Sequence, residues 1–415
     1  MKYRKIHYAW IILAGCCLFS FLAQGMILGT IGTYMTSIAE SLNVGQTQIS
    51  MAMTFEMLGM AVAMPIVGSL MRKVNFRALV TCSVAAATAG LTLASFANSV
   101  VLLYVAWTVI GAAVSVTLLL PVLVGNWFSE KLGLAMGIST AIASAGSAVF
   151  NPLVSILIKH AGWRGSYRIS AVILLVLLTP VALFFLRLAP GDGETPYGYG
   201  RAAADSSAPA AGADDGLTFG QALGTPLFYI ILIGTALFSA FSAISQQIVP
   251  HLVSQGFDGP LAASVLSCTS VGSATGKLLI GPMLDGRRRN GAIMGFAALV
   301  SAGWIVLALT PGMALTFLGG IMCGLGQCTG MVAIPYLSRR FFGGKDMGKI
   351  TGVSGALCTL VPAVAVVVSG AVFDKNGSYA AVFFFAGVVS LVTMAMVLAA
   401  YLWSMAKRTA LEGAC

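Results

Sequence analysis

The chain has 415 residues, of which 58% are hydrophobic and only 9% charged, against roughly 25% charge in soluble domains. Together with a mean hydropathy of +0.93, this excludes a soluble metabolic enzyme, a nucleic-acid binder and a secreted disulfide scaffold, and places the chain in a bilayer. The formal charge of +10 then reads as a topology signal, because Lys and Arg are retained on the cytoplasmic side of a membrane.

A helix needs about 20 apolar residues to cross roughly 30 Å of hydrocarbon, so this apolar content suffices for about twelve crossings. The N-terminal stretch MKYRKIHYAWIILAGCC mimics a signal peptide. Its apolar run continues past Ile31 without a small-residue cleavage site, which predicts a first spanning helix instead. Apolar runs broken by charge or by Gly and Pro predict spans near 8–38, 47–70, 77–97, 99–123, 133–158 and 167–187. Six more follow near 226–253, 260–284, 291–310, 313–337, 347–371 and 379–404.

Between the two sets, from Pro190 to about Gly216, the chain is rich in Gly, Ala, Pro, Ser and Asp and has nothing to build a core from. The predicted organisation is a six-helix bundle over 1–189, a flexible cytoplasmic linker over 190–222 and a second six-helix bundle over 223–415. With the N-terminus inside, 18 of the 23 Lys and Arg residues fall in the cytoplasm, which predicts both termini there. Only Lys159, Arg164, Arg168 and Lys375 fall outside, and Lys277 is left within the hydrocarbon.

Seven of the eight cysteines sit in apolar runs without metal-ligand spacing and read as small buried hydrophobes. No cofactor or metal is expected. The absence of GxxxxGK[ST] predicts that the chain does not draw on ATP.

The two halves share landmarks at a near-constant offset. Gly68 and Gly281 lie 213 residues apart, Pro121 and Pro335 lie 214 apart, and Trp127-Phe128 and Phe341-Phe342 also 214. Ser166-Tyr167 and Ser378-Tyr379 are 212 apart. Four such pairs, each at the same place in its half, predict pseudo-twofold symmetry about the membrane normal.

The eighth predicted span ends Gly281-Pro282-Met283-Leu284-Asp285-Gly286-Arg287-Arg288-Arg289. This resembles the G-x-x-x-D-[RK]-x-G-[RK]-[RK] loop of the major facilitator superfamily. The first-half copy begins at Gly68 and carries Arg72 where the acid stands in the pattern. In such a motif the glycine allows close helix contact and the acid at a helix end can hold a basic partner. Gly68, Arg72, Gly281, Asp285 and Arg287 are therefore the candidate cytoplasmic gate.

Trp127-Phe128-Ser129-Glu130-Lys131-Leu132-Gly133-Leu134-Ala135-Met136-Gly137 is similar to a W-F-x-x-[KR]-R-G-x-A-x-G stretch of the oxalate/formate antiporter and monocarboxylate porter branch, with Leu132 at the Arg position. Gly276-Lys277-Leu278-Leu279-Ile280-Gly281-Pro282-Met283-Leu284-Asp285 is similar to that branch's G-R-x-x-x-G-x-x-x-D, with Lys for Arg, and Gly162-Trp163-Arg164 also resembles it. The resemblance implies an all-α membrane protein of twelve transmembrane helices in two pseudo-symmetric six-helix bundles, the major facilitator fold. It also implies that spans one, four, seven and ten line the substrate cavity. Gln24, Tyr34, Gln246, Gln247 and Tyr336 are the uncharged candidates there, interhelical hydrogen bonding being their other use.

A Lys near the bilayer centre costs about 2.5 to 3.5 kcal/mol on insertion scales, so it is retained chiefly where it faces a wet cavity and binds something. Lys277 lies eight residues from Asp285, about 12 Å along a helix, and its expected role is to hold an anion. The alternative is snorkelling to headgroups, which Gly276 and Gly281 disfavour because they suggest a helix-packed surface. One buried cation neutralises one carboxylate, which points to a monocarboxylate. Relatives that handle oxalate carry a second Lys in the eleventh span, whereas Thr351 to Gly370 holds no charge here.

Glu56 is the acid within the spans away from their ends. It is a candidate proton site, the alternative being a hydrogen bond to neighbouring helices or a place in the outer vestibule. The position four before Lys277, where monocarboxylate porters place an acid, is Ser273. His251, beside Pro250, is expected at the membrane interface.

The sequence thus points to a secondary active transporter, not an enzyme, that moves a small organic anion across the cell (inner) membrane by alternating access, as proton symport or anion exchange. Its expected partners are the anion, protons and the lipid bilayer, with no nucleic acid and the chain acting as a monomer. Two other readings are a drug or hydrophobic-cation exporter, which calls for an acid rather than a lone Lys in the cavity, and a non-transporting membrane anion sensor.

Overall fold

The computed structural model describes residues 7–70, 74–128, 132–187, 195, 197, 217–284, 289–310, 312–342 and 347–412. Among these residues the regular structure is helical. Nine helical stretches are long and apolar enough to cross a membrane, beginning with Tyr8–Leu42, Gln46–Leu70, Phe76–Ser95 and Val100–Thr117. The stretch Ala141–Phe185 is two spans in one, because Gly162 at φ 68° breaks the helix there. That left-handed conformation suits glycine, which has no Cβ to clash. Adding Gly259–Leu284 and the run that starts at Met313–Cys328 and ends with Ile334–Phe342 gives the twelve spans expected.

Local chemistry sets the helix ends. Asn43 closes the first span in the left-handed region at φ 50°, a conformation Asn tolerates. The Asn75 side chain accepts from Arg77 N at 3.0 Å to start the third, and Ser99 accepts from Leu102 N to start the fourth. Several helices outrun the apolar segments that predicted them. The first continues to Leu42, and the fourth and tenth run on to Trp127 and Phe342. These last turns carry polar residues, and their carbonyls, which have no partner within the helix, can be met by water beyond the hydrocarbon.

Contacts divide the chain into two compact units, Met1–Ser207 with Leu252–Ser267, and Ala208–His251 with Cys268–Cys415. Each contains the same helix crossings. In the first unit, a Cβ on Gly111 of the fourth span would run into the Glu56 carbonyl of the second, and one on Gly59 into the Thr108 carbonyl. In the second unit Gly324 stands in the same relation to Thr269, and Gly272 to Ile321. All four residue pairs recur at an offset of 213, so the repeat read from landmarks is also a repeat of backbone-to-backbone approaches, for which only the smallest residue leaves room.

The helical ladder is interrupted at matching points. The fourth span tightens to a 3₁₀ turn at Ser115–Leu119 and the tenth loosens to a π turn at Thr329–Ala333. Ser115 Oγ donates to the Ala112 carbonyl and Thr329 Oγ1 to the Gly326 carbonyl, each at 2.6 Å. Such back-bonding side chains bend helices, and the landmark prolines Pro121 and Pro335 follow six residues later. The first span has its own π stretch, Ser20–Ile27.

Candidate functional site

Glu56 is held in the middle of the second span and is 4% exposed. Its helix is pinned there by the Gly111 crossing, and its side chain turns into a cavity of about 20 Å³ inside the first unit. Tyr34, Trp107, Tyr167 and Ser170 share the lining, with Met26, Ile27, Ile31, Leu91 and Ile110 closing the rest. Among the described residues, no cation stands in that lining.

Tyr34 is fixed on two sides. Its ring stacks on Tyr167 with centroids 4.2 Å apart and 13° between planes, an arrangement worth about 0.5 to 1.5 kcal/mol beyond area burial. Its hydroxyl is 2.8 Å from Ser166 Oγ, either group able to donate, and Ser170 also lies against it. Thus two residues singled out separately in the sequence, Tyr34 and Glu56, meet at one cavity. Ser166, Tyr167, Ser170 and Trp107 were not singled out as site residues. For Ser166-Tyr167, the signal was its recurrence as Ser378-Tyr379.

Lys277 lies in the second unit, half-buried on the eighth span. Beside it, Gly276 packs so tightly on the tenth span that a Cβ would meet the Leu325 carbonyl, and the Lys277 ammonium lies within electrostatic reach of the Cys328 thiol. This helix-packed neighbourhood fits the reading taken from Gly276. One residue before Cys328, Gln327 donates from Nε2 to Ser245 Oγ at 2.7 Å. Gln327 was not among the sequence candidates, although a polar residue in an apolar span was the available signal.

The other candidates sit as follows. Gln247 is fully buried and its Nε2 donates to the Val366 carbonyl at 3.2 Å, tying the seventh span to the eleventh. Gln246 is half-buried in the 3₁₀ turn Ser245–Gln247. Tyr336 donates from its hydroxyl to the Leu284 carbonyl at 3.1 Å, at the end of the eighth span. Gln24 is half-buried in the π stretch of the first span, where its carbonyl accepts from Leu28 N.

Of the gate motif, Gly68 is half-buried with open space around its Cα, and Gly281 lies on the eighth span. Arg72, Asp285 and Arg287 lie outside the described residues. His251 corrects its interfacial expectation. It is fully buried, with Nε2 3.1 Å from the Leu307 carbonyl and its ring against Phe383, because the helix end that carries it is covered by neighbouring spans.

The chain is similar to known proteins over most of its length. The chain is 24% identical to human (Homo sapiens) monocarboxylate transporter 11 over 399 residues, 92% of this chain and 80% of that one. It is 25% identical to the MFS transporter asaE of Aspergillus flavus over 408 residues, 94% and 86% of the two chains. Among solved structures it resembles the nucleoside transporter NupG, with a TM-score of 0.67 and 15% identity over 95% of this chain and 99% of the other. A bacterial homologue of the human lysosomal transporter Spinster, inward-facing and occupied, gives a TM-score of 0.72 at 13% identity over 96% and 97%. The model of the Major Facilitator Superfamily matches residues 13–266 and 231–413. With that match over the length of both six-helix sets, the chain belongs to the Major Facilitator Superfamily and is a multi-pass membrane transporter, not an enzyme.

Proposed function

We propose that the protein carries a small monocarboxylate across the cell (inner) membrane by alternating access, as proton symport, with Lys277 holding the carboxylate and Glu56 the proton. The observation that carries this reading is the division of buried charge. A cation sits on the helix-packed eighth span of one unit and an acid lines a small cavity in the other. A carboxyl this deep, with no cation in its surroundings among the described residues, is tolerated when it carries a proton. Kinship with monocarboxylate transporters supports the substrate class. On the same reading the chain acts as a monomer with both termini cytoplasmic, residues 1–189 and 223–415 being the two bundles and 190–222 their linker.

Alternating access in this scheme is a population shift between outward- and inward-open states. The anion neutralises Lys277 and the proton neutralises Glu56, so the loaded carrier crosses without an uncompensated charge in either bundle. Purified protein in proteoliposomes tests it with labelled lactate, formate and oxalate, with and without a pH gradient. Lactate or formate flux accelerated by an inward proton gradient is expected. Flux that ignores the gradient, or that requires oxalate, overturns the reading.

A further inference from the structure

We infer that Ser166, Tyr34 and one water in the Glu56 cavity form a proton relay to the Glu56 carboxylate. This rests on the proton-symport reading and adds to it a route, with residues that no sequence motif assigns.

The cavity measures about 20 Å³, which is the room one water requires. Such a water needs two to four polar partners, and the lining supplies Glu56, Tyr34, Tyr167 and Ser170. At the other side of Tyr34, its hydroxyl is 2.8 Å from Ser166 Oγ, and either oxygen can be the donor. Both groups are hydroxyls, able to donate and to accept, as a relay needs, since the bond must run in both directions over a cycle. Ser166 is itself fully buried, four residues past Gly162, where the fifth and sixth spans meet in an exposed turn, about 6 Å away along the helix.

The charge surroundings suit a proton rather than a larger cation. Among the described residues lining the cavity, Tyr34 from the first span and Tyr167 from the sixth are the titratable groups that face Glu56. The third span contributes Leu91 and the fourth Trp107 and Ile110, none of them charged. With one carboxylate and space for one water, a hydrated metal ion has neither the room nor the ligand number.

The transfers balance. A proton arriving at Ser166 Oγ releases that hydroxyl's own proton to the Tyr34 oxygen, Tyr34 releases its own to the water, and the water gives one to Glu56. Each O–H bond formed matches one broken, and the one net change is carboxylate to carboxylic acid. The hydroxyls then turn back to their starting orientation.

The test follows the Glu56 carboxylic acid directly by infrared spectroscopy of purified protein, using exchange into deuterium oxide as the probe. Wild type is expected to show a protonated carboxyl band that Glu56→Gln lacks. Tyr34→Phe keeps the stacked ring, and Ser166→Ala removes the other hydroxyl. Both are expected to retain the band but slow its deuterium exchange by about a hundredfold, the low end of what a positioned proton carrier contributes. Exchange at the wild-type rate in both variants overturns the path and leaves the proton reading standing. A band absent from wild type, or surviving in Glu56→Gln, removes Glu56 as the proton site and the path with it. If Tyr34→Phe fails to fold by circular dichroism, Ser166→Ala decides alone.

Discussion

Gly111 lies against the backbone carbonyl of Glu56, so the fourth span fixes the height and rotation of the acid-bearing second span through main-chain contact. The equivalent contact in the other unit, Gly324 on Thr269, fixes the eighth span, which carries Lys277 two turns further on. One inherited crossing therefore positions both charged helices, and the halves differ in what they mount on it.

Enlarging that contact is expected to harm folding before function. Gly111→Val and Gly324→Val each force backbone apart where side-chain movement cannot help, costing about 1 to 3 kcal/mol as overpacking does. Thermal unfolding in detergent checks this. Equal losses in the two variants are expected from the repeated geometry, and a wild-type melting temperature in either one contradicts the crossing.

Removing the cation is expected to abolish anion transport with the protein still inserted. Lys277→Ala loses uptake by at least about tenfold, the cost of a lost charge-assisted hydrogen bond. Lys277→Arg keeps the charge and retains part of the flux. Uptake in membranes of matched protein content measures both, and unaltered uptake in the alanine variant removes Lys277 from the site.

The pH dependence follows from mass action. With protons as the proposed co-substrate, taken up outside, wild-type uptake is expected to rise as the external pH falls. Glu56→Gln, neutral at every pH, is expected to flatten that profile and to uncouple accumulation from the gradient. A slope surviving in Glu56→Gln places the coupling elsewhere.

The ion pair Lys159 to Asp258, at 3.4 Å with both side chains more than half exposed, is expected to matter little. Exposed pairs contribute about 0 to 1 kcal/mol. Lys159→Met should leave the unfolding temperature within a few degrees of wild type and insensitive to added salt. A larger shift would mean that the pair holds the Leu252–Ser267 segment in place.

The twelve spans were legible because each must present about twenty apolar residues to lipid, whatever its neighbours. The repeat was legible because landmarks such as Pro121 and Pro335 survive where helices bend. The polar face of each helix was harder to read. Tyr34 and Glu56 are on different spans and meet only because Gly111 and the Tyr167 stack set the helix rotations. Gln247 read as a cavity candidate, and its bond to the Val366 carbonyl depends on the eleventh span's position, which no local pattern encodes. His251 beside Pro250 read as interfacial for the same reason, because its cover comes from residues more than fifty positions away.

The chain between the bundles is fastened twice within its own neighbourhoods. Tyr197 N donates to the Trp127 carbonyl at 2.9 Å, its ring lying among His7, Trp10 and Phe128, and Leu217 N donates to the Phe342 carbonyl at 2.9 Å. These anchor points occupy the same corner of the duplicated plan. Because each end of this connecting chain is held by its own neighbourhood, severing the polypeptide between 198 and 216 leaves both hydrogen bonds intact.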